Sequence, residues 1–148
     1  MRIRIKFRKN GVMRFVGHLD IMRYFQKAMR RADIDIAYSE GFSPHQIMSF
    51  AAPLGVGITS DGEYLDIEAV STASSEESLK ALNTVMADGM EVTEYVALRQ
   101  DAKKAMTAVA AADYFVYFKK KADFSRGEME EMIRKYYRDR DKIEIIKQ

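Results

Sequence analysis

His18 and His45 are the only imidazoles in a chain of 148 residues. A histidine titrates near neutral pH and can give or take a proton in a transition state, and an arginine nearby can neutralise charge developing on a phosphate. His18 and His45 are therefore candidate general acid and base, with Arg14 as phosphate contact, for a metal-independent cleavage of RNA. Each also has a plainer reading, His18 as a hydrogen-bonding group at a helix start and His45 as a polar group of a loop. Metal chemistry has little to draw on, because no acid stands at a ligand spacing from either histidine and neither H-E-x-x-H nor G-x-x-x-x-G-K-[ST] occurs. Cysteine is absent, which removes disulfides, thiolate nucleophiles and any iron–sulfur cluster held by this chain's own thiolates. No cofactor is expected.

Around His45 runs YSEGFSPHQIMSFAAPLGVG, Tyr38 to Gly57. Gly41, Gly55 and Gly57 can take a positive φ, and Pro44 and Pro53 push the residues before them toward extended geometry. The segment is a shaped loop. Its polar groups are Ser39, Ser43 and His45, and Tyr38 and Phe42 offer aromatic platforms, a mixture suited to a phosphate, a base or a small polar ligand. The same residues also serve a loop that packs through Phe42, Ile47 and Phe50 while its glycines make turns.

The net charge of +2 hides an asymmetry: residues 1–31 hold ten Lys/Arg and one acid, Asp20, whereas residues 58–101 hold ten acids and only Lys80 and Arg99. A basic pole invites an anionic partner such as nucleic acid, through Arg14 and the helix-face cations Arg23, Lys27, Arg30 and Arg31. The alternative is that the two blocks face each other across a sheet, and a charge run on a helix is commonly a solvated face.

These residues need elements to position them. RIRIKFR (2–8) alternates strictly, with Ile3, Ile5 and Phe7 on one face, as in a half-buried strand. Ile21, Phe25, Ala28 and Ala32 follow helical spacing over about 19–32, with the cations on another face. IDIAY (34–38) reads as a short strand, the centre of the loop at 46–52 as another, EYLDIEAV (63–70) as a third and MEVTEYVAL (90–98) as a fourth. Ser74 and Glu77 have capping-box spacing ahead of a helix over about 75–88 ending at Gly89. The order matches an α+β, ferredoxin-like βαββαβ sandwich over residues 1–99. In that topology the first and third strands are neighbours, so Arg2, Arg4 and Lys6 would pair with Tyr64, Asp66 and Glu68. Residues 100–111 read as a connector, and 112–148 as a partial second ferredoxin-like unit: a strand at 112–120, a helix opened by Ser125 and Glu128, and a strand at 142–148. That unit reads as truncated or as completed by a partner, and its open edge strand would admit a second copy of the chain. No apolar run is long enough to span a membrane, and the start is unlike a signal peptide, so the expected location is cytoplasmic.

Four motifs, R-F-x-G-H-L-D at Arg14–Asp20, Y-S-x-G-F-S-P-H at Tyr38–His45, P-L-G-x-G at Pro53–Gly57 and E-Y-L-D-I-E at Glu63–Glu68, resemble in order the uncharacterised domain family linked to radical-SAM proteins. The resemblance implies a radical-SAM protein with a cobalamin-binding-type domain as fused or neighbouring partner, and an accessory role for this chain. A more distant likeness of arrangement is to the ferredoxin-like RNA-binding proteins of CRISPR repeat processing, some of which cleave RNA through a histidine without metal. Three functions follow as expectations. The first is a nucleic-acid-binding accessory module, for tRNA or another structured RNA, in which Arg14, Arg23, Lys27 and Arg30 contact phosphates while Tyr38, Phe42 and His45 receive a base, with His18, Ser39, Gly41 and Ser43 around them. The second is the metal-independent endoribonuclease of His18 and His45. The third is a protein-interaction subunit.

Overall fold

The computed structural model describes residues 1–118 and 123–139. The chain divides into two compact units, Met1–Ala112 and Asp113–Gln148. The first is built on four antiparallel strands, β1 (Arg2–Lys9), β2 (Met48–Phe50), β3 (Ser60–Glu68) and β4 (Met90–Ala97), in the order β2-β3-β1-β4. Two helices, α1 (His18–Arg31) and α2 (Ser75–Val85), supply the inward side chains that close one face of the sheet. Among the described residues no helix is long and apolar enough to cross a membrane.

Alternation in β1 explains its central place. Ile3, Ile5 and Phe7 are buried, and α1 answers them with Ile21, Phe25, Ala28 and Met29. Phe7 and Phe25 stand 4.7 Å apart between ring centroids, and Phe50 of β2 closes the group at 6.0 Å from Phe7 and 5.7 Å from Phe25. Each ring buried this way is worth about 1.5–3 kcal/mol. Helix α2 starts on a complete capping box, with the Ser74 hydroxyl accepting the Glu77 N–H and the Glu77 carboxylate accepting the Ser74 N–H. It is joined to β4 by Asn83, whose amide donates to the Val92 carbonyl and accepts the Val92 N–H, both at 2.8 Å.

The opposite face of the sheet carries the charges. Register sets Arg4 against Asp66, and Lys6 against Tyr64 on one side and Glu94 on the other. Residues 102–105 lie over this face: Arg2 donates to the Ala102 carbonyl, Arg4 to the Lys103 carbonyl at 2.7 Å, and the Ala105 N–H to the Asp66 carboxylate at 2.7 Å. Ala105, which opens the short α3 (Ala105–Ala108), is buried there.

One expected strand does not form. Residues 34–38 make only isolated bridges, Ile36 to Ala69 and Tyr38 to Gln46, because the chain leaves α1 through Asp33 at φ +51° and turns twice before it extends. Of the strand expected over 112–120, residues 112–118 form no strand with any of the described residues, and 119–120 lie outside them. In that second unit α4 (Arg126–Asp139) follows Ser125, which makes the expected capping box with Glu128. The strand expected over 142–148 lies outside the described residues.

Candidate nucleic-acid interface

Subtracting the paired charges leaves the cations that remain available to a ligand. On β1, Arg4 is bound to Asp66 at 2.7 Å, Lys6 to Glu94 at 3.0 Å and Arg8 to Glu91 at 3.0 Å. Arg2 is spent on a backbone carbonyl. The expectation that much of the basic pole is neutralised across the sheet holds for this strand.

Helix α1 is different. Its buried stripe is Ile21, Phe25, Ala28 and Met29, and Arg23, Lys27 and Arg30 fall on the opposite, exposed side at spacings of four and three. Arg23 makes a surface pair with Asp20 at 3.4 Å, a contact worth little in water. Lys27 and Arg30 have no ion-pair partner among the described residues. Arg31, at the helix end, donates to the Val85 carbonyl at 2.7 Å and so links α1 to the last turn of α2.

The hairpin of Tyr38–Gln46 meets the same helix, α1. Its base is held by the Tyr38–Gln46 bridge and by the Ser39 N–H donating to the His45 carbonyl at 2.8 Å. The Ser39 hydroxyl accepts the His45 N–H at 3.1 Å and lies 2.8 Å from His45 Nδ1. Gln46 seats the hairpin on the helix, its amide nitrogen 3.3 Å from the Gln26 carbonyl and 3.3 Å from the Tyr38 hydroxyl. Gln26 lies between Arg23 and Lys27 in the sequence, so the hairpin meets the helix within its basic turns. At the tip, Gly41 takes φ +106°, and Phe42 and Ser43 are exposed. Tyr38 is half exposed.

Arg14 and His18 have other partners. Arg14 lies in a short 3-10 turn, Gly11–Phe15, with its guanidinium 4.7 Å from the Phe15 ring and its carbonyl accepting the Gly57 N–H at 2.7 Å. The Pro53–Gly57 loop is thus tied to the entry of α1, and away from the hairpin's own bonds. His18, the first residue of α1, packs edge-on against Phe50 at 5.2 Å. His18 and His45 share no partner: one is held by the aromatic core and the other by Ser39.

One group escaped the reading of the sequence. Lys9 is 1% exposed, with its ammonium donating to the Val16 carbonyl at 2.8 Å. A small cavity of about 10 Å³ beside it is lined by His18, Phe50, Leu54 and Glu63, room for about one water. Loss of hydration pushes the Lys9 ammonium below its ordinary value, and the Glu63 carboxylate partly restores it. The signal was present, since the alternation of Ile3, Ile5 and Phe7 carried one step further puts residue 9 on the buried face. No group of three or more His, Cys, Asp or Glu able to hold a metal ion occurs among the described residues.

The family model described as "Uncharacterized protein conserved in bacteria (DUF2344)" matches residues 2–148. No curated protein and no solved structure matches the chain.

Proposed function

The chain belongs to the DUF2344 family of bacterial proteins, and on that premise we propose that it is an RNA-binding accessory module that works beside a radical-SAM protein. The observation that carries the RNA half is the contrast between two sets of cations. Those of β1 are consumed by Asp66, Glu94 and Glu91, whereas Lys27 and Arg30, with the loosely paired Arg23, stand exposed on α1, the helix on which a hairpin bearing Tyr38 and Phe42 is seated at Gln26. Free cations draw phosphates and exposed rings take bases, the combination used in recognition of RNA. The strand order, with α1 and α2 on one face, supports a ferredoxin-like unit over residues 1–99 as the platform.

The partner half rests on the motifs at Arg14–Asp20, Tyr38–His45, Pro53–Gly57 and Glu63–Glu68, which resemble the domain linked to radical-SAM proteins. With no cysteine in the chain, the iron–sulfur cluster of such a reaction would belong to the partner. The endoribonuclease reading draws no support from the histidines, since His18 and His45 have different surroundings.

The test is a fluorescence-anisotropy titration of a labelled tRNA pool at low and moderate salt with wild type and a Lys27→Glu/Arg30→Glu variant. Binding that weakens as salt rises, and falls at least about tenfold in the variant, is expected. No binding at low salt, or equal binding by the variant, would remove the reading. Co-purification with a co-expressed radical-SAM protein tests the partner separately.

A further inference from the structure

We propose that the Tyr38–Gln46 hairpin makes this surface selective for unpaired nucleotides, with the Phe42 ring as the stacking platform for a base; the proposal rests on the RNA-binding reading above. Phe42 has 110% of the exposure of a reference phenylalanine, so its ring touches essentially nothing in its own chain. A large apolar side chain left wholly in water gains nothing for the fold.

The ring is nevertheless well positioned. Ser39 and His45 close the hairpin through three hydrogen bonds, Gly41 makes the turn at φ +106°, and Gln46 ties the base to Gln26 of α1. Bracing of the hairpin's base at Ser39 and His45 lowers the ordering cost of binding, leaving only the tip between them to be settled. The seat on the Gln26 carbonyl also puts the hairpin on the same turns of α1 that carry Arg23, Lys27 and Arg30. A strand whose phosphates follow these cations brings its bases to the hairpin, so charge and ring act on one ligand.

That geometry discriminates by base pairing. In a duplex each internal base already has both faces covered by its neighbours, whereas an unpaired base offers a face to an aromatic ring. The hairpin's groups for reading a base edge are Glu40, Ser43 and the second ring nitrogen of His45. The Gln46 side chain is buried, and His45 Nδ1 is committed to Ser39. Stacking on Phe42 is itself tolerant of base identity, so recognition is chiefly of unpaired structure.

The experiment compares anisotropy titrations of labelled single strands of about ten nucleotides, oligo-U and oligo-A, with a duplex of the same length. Wild type, Phe42→Ala and Phe42→Tyr are measured over a range of salt. Single strands should bind at least about tenfold tighter than duplex, Phe42→Ala should lose about tenfold on single strands with an unchanged salt slope, and Phe42→Tyr should keep wild-type affinity. Because Phe42 packs against nothing, neither substitution threatens folding. Equal affinity for duplex, or wild-type binding by Phe42→Ala, overturns the proposal while leaving RNA binding by the cations in place. Retention of a protein partner that depends on Phe42, with single strands bound equally by all three forms, assigns the ring to that partner instead. Absence of binding to any oligonucleotide or to tRNA removes both readings.

Discussion

Arg4 grips Asp66 through two bonds, Nε to Oδ1 at 2.7 Å and Nη2 to Oδ2 at 2.9 Å, and the same Oδ2 accepts the Ala105 N–H at 2.7 Å. One carboxylate, 6% exposed, therefore joins the central strand, its neighbour and the segment that follows β4. Its bonds raise the Arg4 guanidinium further above its ordinary value, with the Asp66 hydrogen bond the largest cause.

Asp66→Ala leaves a half-buried guanidinium and the Ala105 N–H without their acceptor. The expected loss is about 3 kcal/mol in urea denaturation, with the Ala105 amide exchanging hydrogen faster. Asp66→Asn keeps one acceptor and should lose less. A loss below about 0.5 kcal/mol for Asp66→Ala would show the contact to be superficial.

Lys9 gives a pH signature. Its folded value lies below the ordinary 10.5, so between the two values the unfolded chain holds more protons than the native one, and stability rises as pH climbs through that window. Below the folded value the desolvation penalty is present in full. Lys9→Met should flatten the alkaline rise. Parallel curves for wild type and variant up to pH about 10.5 would contradict the assignment.

Helix α2 depends on its first turn. Ser74→Ala removes the acceptor of the Glu77 N–H and should cost about 1 kcal/mol near neutral pH. Glu77 is held below its ordinary 4.5 by the Ser74 hydroxyl and then by the Ser74 N–H. A depressed carboxylate stabilises the fold above its unfolded value and loses that contribution as pH falls through the folded one. The gap between wild type and Ser74→Ala should therefore narrow in acid. A gap constant from neutral pH to below 4.5 would mean that the carboxylate takes no part.

Paired and free cations should separate in RNA binding. Lys27→Gln is expected to lower the slope of log affinity against log salt by about 1, as loss of one phosphate contact does. Lys6→Gln, whose ammonium is already tied to Glu94, should leave the slope unchanged. Equal effects of the two substitutions would count against a ligand seated on α1.

Local pattern carried much of this. Period-two alternation in residues 2–8, the helical spacing of Ile21, Phe25 and Ala28, and the Ser74–Glu77 spacing are set by neighbours a few residues apart, and each matches the element that forms. Even the Arg4–Asp66 pair was within reach once the first and third strands were taken as neighbours, because antiparallel register then brings acids opposite bases. The segment 34–38 shows the limit, since it makes only isolated bridges. Composition marks a segment as fit for a strand, but a strand exists only when another supplies its hydrogen bonds.

The sequence by itself determined which faces are apolar, where α1, α2 and α4 begin, and which residues could meet an anion. The tertiary structure alone decided which of those cations stay free, because neutralisation depends on partners 88 and 83 residues away, as for Lys6 and Arg8. It also gave His18 and His45 different partners, Phe50 and Ser39, and seated the hairpin on Gln26, 20 residues before Gln46. Such contacts arise only when the chain folds back on itself, so no local period announces them.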